Sequence, residues 1–215
     1  MRWPAEIGVM VLPNVILFPQ AFLPLYVFEP RYRSMLERAL ETHRLFCVAM
    51  QRPGRRGSPT NVAGLGVIRA ARRHPDGTAH MILQGLVRVA LGDAVRYRPY
   101  RTHRIRLLPS QLANVAKADA LAARLIELVA NRLQEGASVG FGSPEVPVPG
   151  TEPDPAWASQ PAVEFLAHVT NPEQIADLVS WALLSSPGQR QLLLETLDVE
   201  TRLRRLINFL ADDKP

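Results

Sequence analysis

The sequence holds one cysteine and two lysines among 215 residues. A single thiol, Cys47, excludes an intramolecular disulfide and cannot build a zinc site by itself. Its neighbours Phe46 and Val48 make it a small apolar strand residue rather than a nucleophile. Such sparing use of cysteine fits a reducing compartment, so a cytoplasmic location is expected. The lysines are Lys117, in Ala116-Lys117-Ala118, and Lys214 in the tail. A P-loop needs its lysine inside a glycine-rich loop that cradles phosphate, and neither lysine sits in one. Long apolar runs are also missing. No stretch reaches the roughly 18 uninterrupted apolar residues of a membrane span, and Pro4, Glu6, Pro13 and Asn14 break up the N-terminal segment where a signal peptide would need its core. The histidines, at positions 43, 74, 80, 103 and 168, fall at no metal-ligand spacing. No nucleophile, base and orienting group can be assembled from the sequence. The expectation is a protein with no metal, no cofactor, no catalytic residues and no membrane association.

What is present is an ordinary globular composition, 47% hydrophobic and 21% charged. The charge is unevenly spread. Residues 1–110 carry 17 Arg, no Lys and 6 carboxylates, a net of +11, whereas residues 111–215 carry 6 Arg, 2 Lys and 14 carboxylates, a net of −6. A basic half joined to an acidic half suggests two subdomains, and the basic half suits an acidic partner or nucleic acid. The alternative is that the two halves partly neutralise each other.

The first half reads as strands. Gly8 to Leu12, Phe22 to Phe28, Leu45 to Gln51, Leu65 to Ala71, Ala79 to Gln84 and Val87 to Leu91 are short runs rich in Val, Ile, Leu and Phe, separated by Gly, Pro and Asn. His74-Pro75-Asp76-Gly77-Thr78 reads as a turn, and Arg104 to Leu107 alternates like a half-buried strand. One helix interrupts them, opened by Glu29-Pro30 and carrying Tyr32, Met35, Leu36 and Ala39 on one face. The second half reads as helices. Val115, Ala118, Leu121, Leu125, Leu128 and Val129 trace an apolar stripe. Asn171-Pro172, Ser186-Pro187 and Asp198 are three helix starts. Between the stripe and these starts, residues 136–161 are a Pro/Gly-rich stretch, expected to be a surface loop or partly disordered. The expected domains are therefore a β-rich unit over 1–110 and a helical unit over 111–215.

Four groups of segments carry a family resemblance. They are Leu12-Pro13-Asn14-Val15-Ile16-Leu17-Phe18-Pro19 with Leu23-Pro24-Leu25; Phe28-Glu29-Pro30-Arg31-Tyr32; Gly64-Leu65-Gly66-Val67-Ile68 with Asp76-Gly77-Thr78 and Gln84-Gly85-Leu86-Val87-Arg88; and Ala176-Asp177-Leu178-Val179 with Gln191 to Val199 and Arg202-Leu203. In this order they resemble the N-terminal substrate-binding (LON) domain of Lon protease, from about residue 7 to residue 211. The resemblance implies an α+β fold, a PUA-like β pseudo-barrel followed by a small C-terminal helical bundle. It also implies a module that captures unfolded or tagged polypeptides. The protease proper needs a P-loop ATPase and a Ser–Lys dyad, and neither is legible here. The expected protein is a bacterial, stand-alone, non-catalytic LON-domain protein, binding unfolded polypeptide or a proteostasis partner as an adaptor in protein quality control. The length of the 136–161 stretch departs from the family pattern.

Three sets of residues are candidates. Phe18, Phe22, Leu23 and Tyr26 lie in a dense apolar stretch; those exposed would grip an unfolded chain or belong to an edge strand that adds a peptide. Glu29, Arg31, Tyr32, Gly85 and Arg88 match the family's motifs, and a structural role is expected for them. Glu29 suits a helix N-terminus, Tyr32 packs down, Gly85 permits a turn or bulge between strands, and Arg88 pairs with an acid. Arg96, Arg98, Tyr100, Arg101 and Arg104, in a run of five Arg with two Tyr and one His, support the alternative of a basic PUA-like RNA-binding module, because Arg binds phosphate bidentately and aromatics stack on bases. Against that alternative, Arg outnumbers Lys by 23 to 2 throughout the chain.

Overall fold

Leu45 to Met50 contains no polar side chain, and a strand with that pattern has to be buried on both faces. The computed structural model, which describes residues 3–134 and 168–212, places it so: all six residues are buried. The described residues divide into two units, one up to Pro109 and one from Ser110 on. The 136–161 stretch lies outside the described residues.

The first unit contains β1 (Glu6–Leu12), β2 (Phe22–Val27), α1 (Pro30–Glu41), β3 (Leu45–Met50), β4 (Val62–Arg73), β5 (Ala79–Arg96) and β6 (Arg101–Leu107). The strands form one mixed sheet in the order β2-β5-β4-β3-β1-β6, and β5 also pairs with β6. Five strands therefore close into a ring, while β2 attaches to it through β5. The 18-residue length of β5 permits this: its first half pairs with β2 (Leu25 opposite Met81) and its second half with β6 (Leu91 opposite Ile105). β1 and β3 run parallel, Val9 opposite Cys47, with α1 in the crossover between them. The other pairs are antiparallel.

Alternation on β3 then fills two cores. Leu45, Cys47 and Ala49 point into a cluster with Ile7, Val9, Val11, Leu65 and Val89. Phe46 and Val48 point the other way, into a cluster with Tyr32, Met35, Leu36 and Ala39 of α1 and Leu23, Leu25 and Val27 of β2. Each large apolar side chain so buried contributes about 1.5–3 kcal/mol. Burial also pushes the Cys47 thiol far up, so it stays protonated and acts as core.

The sequence pattern splits β5 in two at Gly85; the structure has one continuous strand. Gly85 lacks a side chain for a different reason. A Cβ there would overlap the Phe18 carbonyl oxygen, and one on Gly64 would overlap that of Leu17. The segment leading into β2 lies directly on these glycines, and it is tied down by Gln20 N–H donating to the Gly85 carbonyl and Gly85 N–H donating to that of Ala21, both at 2.9 Å. The sheet accommodates this with a register shift: Leu65 faces Val87 but Gly66 faces Gly85.

The second unit contains α2 (Val115–Gln134), α3 (Pro172–Leu183), α4 (Pro187–Glu195) and α5 (Val199–Asp212). The expected starts are present: Asn171 accepts from Glu173 N–H at 2.9 Å, Ser186 from Gln189 N–H at 3.4 Å and Asp198 from Thr201 N–H at 2.8 Å. α5 packs on the other three helices. The stripe on α2 is rotated from the sequence pattern: Ala118, Ala122, Leu125 and Val129 are buried, while Val115 is 59% exposed. These positions fit the fold class expected from the sequence, a β pseudo-barrel followed in the chain by a helical bundle.

Candidate functional site

Strand alternation sorts the apolar stretch at 15–28. Leu23, Leu25 and Val27 face the core, and Phe22, Pro24 and Tyr26 face outward, with Phe28 continuing their row. Phe22 is 49% and Phe28 54% exposed, and the neighbouring strand adds Ile82, opposite Pro24, at 41%. Tyr26 stacks on Phe28 (centroids 5.9 Å apart) and lies against His80 with tilted rings (4.8 Å), and His80 meets His74 through a 2.7 Å Nδ1–Nε2 contact. β2 pairs only with β5 among the described strands, so this apolar row lies on an edge. Two of the four peptide-binding candidates are not on it: Phe18 and Leu23 are fully buried, because the first packs into the interior ahead of β2 and the second has the core parity of that strand. Phe28 and Ile82 belong to the surface and were missed. Phe28 was readable from the period of two; Ile82 required the β2–β5 register.

The second feature is a cleft of about 210 Å³ lined by Val9, Val11, Arg31, Tyr32, Tyr97, Arg98, Tyr100 and Arg101. It brings the motif at 28–32 together with the arginine-rich run. Tyr32 anchors it. β6 pairs with β1 only as far as Val9, opposite Arg101, and beyond that point the Tyr32 hydroxyl accepts from Val11 N–H (3.0 Å) and donates to the Val11 carbonyl (2.9 Å). Burial, offset in part by the Val11 bond and by Arg31, holds the phenol above its usual pKa. Arg31 lies over the Tyr32 ring at 4.4 Å and pairs with Glu29 at 2.7 Å. Arg101 lies 5.1 Å from the Tyr97 ring, and Arg96 lies 5.4 Å from that of Tyr100.

The five residues proposed for nucleic acid do not share one surface. Arg98, Tyr100 and Arg101 line the cleft; Arg96, again with Tyr100, lines a neighbouring cavity of about 350 Å³ that also contains Glu6, Arg38 and His43; Arg104 lines neither. Tyr100 is buried and cannot stack on a base, while Tyr97, outside the candidate set, is 63% exposed. Gly85 and Arg88 are inside the fold, Arg88 being 2% exposed. Among the described residues no three His, Cys, Asp or Glu side chains are placed to share a metal ion, and no described helix is long and apolar enough to cross a membrane.

The second unit holds a polar centre that the sequence reading passed over. Arg202 and Asp177, both wholly buried, meet at 3.0 Å. The guanidinium also donates to the Ser110 hydroxyl (2.8 Å) and the Thr196 carbonyl (2.9 Å), and Glu173 lies 3.7 Å away. A buried charge with this many partners is a structural fastening. The readable sign was a charged residue falling on the apolar side of each helix.

A ring-closed mixed sheet carrying an exposed aromatic edge and a basic cleft, joined in one chain to a helical unit, places the chain in the α+β class. Residues 6–212 match the model of the ATP-dependent protease La (LON) substrate-binding domain, and the chain belongs to that family. It is 26% identical over 217 residues to the Lon protease of Trichlorobacter lovleyi and 29% identical over 214 residues to that of Chloroflexus aggregans. These matches cover 98% and 96% of this chain but 24% of each protease, so the chain spans about a quarter of their length. The N-terminal domain of Mycobacterium avium complex Lon protease shares the fold with a TM-score of 0.73 at 20% identity, covering 97% of this chain and all of that one. A Lon N-terminal domain protein from Xanthomonas campestris does so with a TM-score of 0.63 at 18% identity, covering 94% of this chain and 97% of that one. The fold is that of the Lon N-terminal domain.

Proposed function

We propose that this chain is a non-catalytic LON-domain protein of the cytoplasm that binds extended apolar segments of unfolded polypeptide and acts as an adaptor in protein quality control. The observation that supports this most is the row of Phe22, Tyr26, Phe28 and Ile82 on the outer face of an edge strand, within a fold whose family is named for substrate binding. An extended segment laid beside β2 would gain main-chain hydrogen bonds from the edge and apolar contact from the rings. Large exposed apolar patches on a folded protein mark interaction surfaces. The test is fluorescence anisotropy with a labelled unfolded polypeptide, comparing the native chain with Phe22→Ser/Phe28→Ser. Both rings are about half exposed, so the double variant is expected to fold and to lose most of the binding. Undiminished binding would rule out this face.

The second reading, an RNA-binding module, has its support in the +11 charge of residues 1–110 and in the exposed Tyr97 beside Arg98 and Arg101. A labelled RNA in the same experiment separates the two. Counterion release makes RNA affinity fall steeply with salt, whereas apolar capture persists at about 0.15 M salt. RNA binding with a steep salt slope and no polypeptide binding would replace the first reading with the second.

A further inference from the structure

The cleft beside Tyr32 shares no lining residue with the apolar face and carries charge that no carboxylate among the described residues matches. Arg31 is offset by Glu29 at 2.7 Å. Arg98 and Arg101 have no carboxylate partner among the described residues, yet both line the cleft. Arg101 lies over the Tyr97 ring at 5.1 Å. The other walls are apolar or aromatic: Val9 and Val11 from β1, and the rings of Tyr32 and Tyr100. The rigid backing of the wall is the pair of hydrogen bonds between Tyr32 and Val11.

Such a combination selects its ligand by chemistry. Guanidinium groups with no carboxylate partner among the described residues favour a planar oxyanion that can accept two parallel N–H bonds. Apolar walls favour an anion attached to something flat or aliphatic over a bare, fully hydrated ion. A volume of about 210 Å³, below the roughly 300–1,000 Å³ of pockets that hold larger organic ligands, suits a carboxylate that carries one ring or a short aliphatic group. We propose that this cleft is a binding site for such a carboxylate, received by Arg98 and Arg101, with the attached apolar group resting against the exposed Tyr97 ring. The carboxylate has two possible sources, the C-terminal end of a polypeptide and a free small acid, and the two present the same group to the cleft.

The experiment is calorimetric titration of the full chain with N-acetyl-phenylalanine, its carboxamide, a short apolar peptide with a free C-terminus, the same peptide amidated, and inorganic phosphate. Both free-acid probes are expected to bind and both amides to be weaker by about tenfold or more, because a charge-assisted pair is lost. A peptide acid that binds more tightly than the acetylated amino acid assigns the site to chain ends; the reverse assigns it to free acids. Arg98→Gln/Arg101→Gln is expected to abolish the difference between acid and amide. Arg98→Gln alone, at an exposed position, is expected to reduce that difference with an unchanged melting temperature, which keeps the test valid if the double variant is unstable. Equal binding of acid and amide, no binding of either acid up to about 10 mM, tighter binding of phosphate than of the acids, or an acid preference that survives both substitutions would each overturn the proposal. Phe22→Ser/Phe28→Ser is expected to leave acid binding unchanged, so failure here and failure of the apolar face are read separately.

Discussion

At the scale of single residues, the phenol of Tyr32 stands in for a strand. β1 runs three residues beyond its last pair with β6, and the peptide groups of Val11 that would have no partner on that side are met by one hydroxyl acting as donor and acceptor. Leaving buried peptide groups unpaired costs about 1–3 kcal/mol. Tyr32→Phe removes the hydroxyl and keeps the ring, so it is expected to lower stability by about that amount, read as a lower urea midpoint at unchanged slope. An unchanged midpoint would mean that water replaces the hydroxyl without loss. The motif containing Tyr32 was legible in the sequence, and so was its inward packing. Its target was not, because nothing local marks a bond that spans 21 residues. The same limit applies to Gly85: the missing side chain was legible, but the Phe18 carbonyl that requires it came from another part of the chain.

At the scale of elements, helix starts were the most readable features, since a cap and the helix it serves are neighbours in sequence. Asp198 has a second consequence. Hydrogen bonds from Thr201, its side chain and then its backbone N–H, hold the Asp198 carboxyl below the usual aspartate range. A carboxyl depressed in the folded state contributes stability that is fully present above its unfolded pKa, about 3.9, and is lost as pH falls through the lower folded value. Asp198→Asn keeps a capping side chain that does not titrate. Its acid unfolding is therefore expected to be less steep below about pH 4 than that of the native chain, as followed by far-UV circular dichroism; superimposable curves would remove Asp198 from the acid response. α3 and α5 are also joined through Asp177 and Arg202. Asp177→Ala leaves a guanidinium in a dry interior without its closest anion and is expected to cost about 3–5 kcal/mol, while Asp177→Leu/Arg202→Met is expected to recover most of that loss. Chemical denaturation of the three proteins checks both statements. A double variant no more stable than the single one would make the pair more than a matched burial of opposite charges. The patterns around both residues could be read in the sequence, but their pairing depends on how α3 and α5 cross.

At the scale of the whole molecule, the β-then-α order was legible because period-two runs fill the first half and period-3.6 stripes the second. Ring closure was not, since it depends on one strand being long enough to pair with two others on the same side. The apolar surface was half legible for a related reason: alternation places Phe22, Tyr26 and Phe28 together, but it does not say which parity faces the core, so Phe18 and Leu23 were included with them. The basic cleft was not visible in sequence order, since its members come from β1, the start of α1 and the β5–β6 connection.

Ring closure also leaves β2 as the strand whose second side has no described partner, and that strand carries an exposed proline at its centre. Proline offers no N–H and is confined to sheet edges. A protein that displays aromatic rings along an open edge risks adding a copy of itself, then another, in an unbounded stack. Pro24 interrupts the row of donors such a stack would need, so one guest strand can be held loosely while a growing ribbon cannot propagate. Pro24→Thr is accordingly expected to turn a well-behaved solution into one whose light scattering rises with time and concentration. A Pro24→Thr protein that stays as clear as the parent would show that some other property of the edge protects the chain.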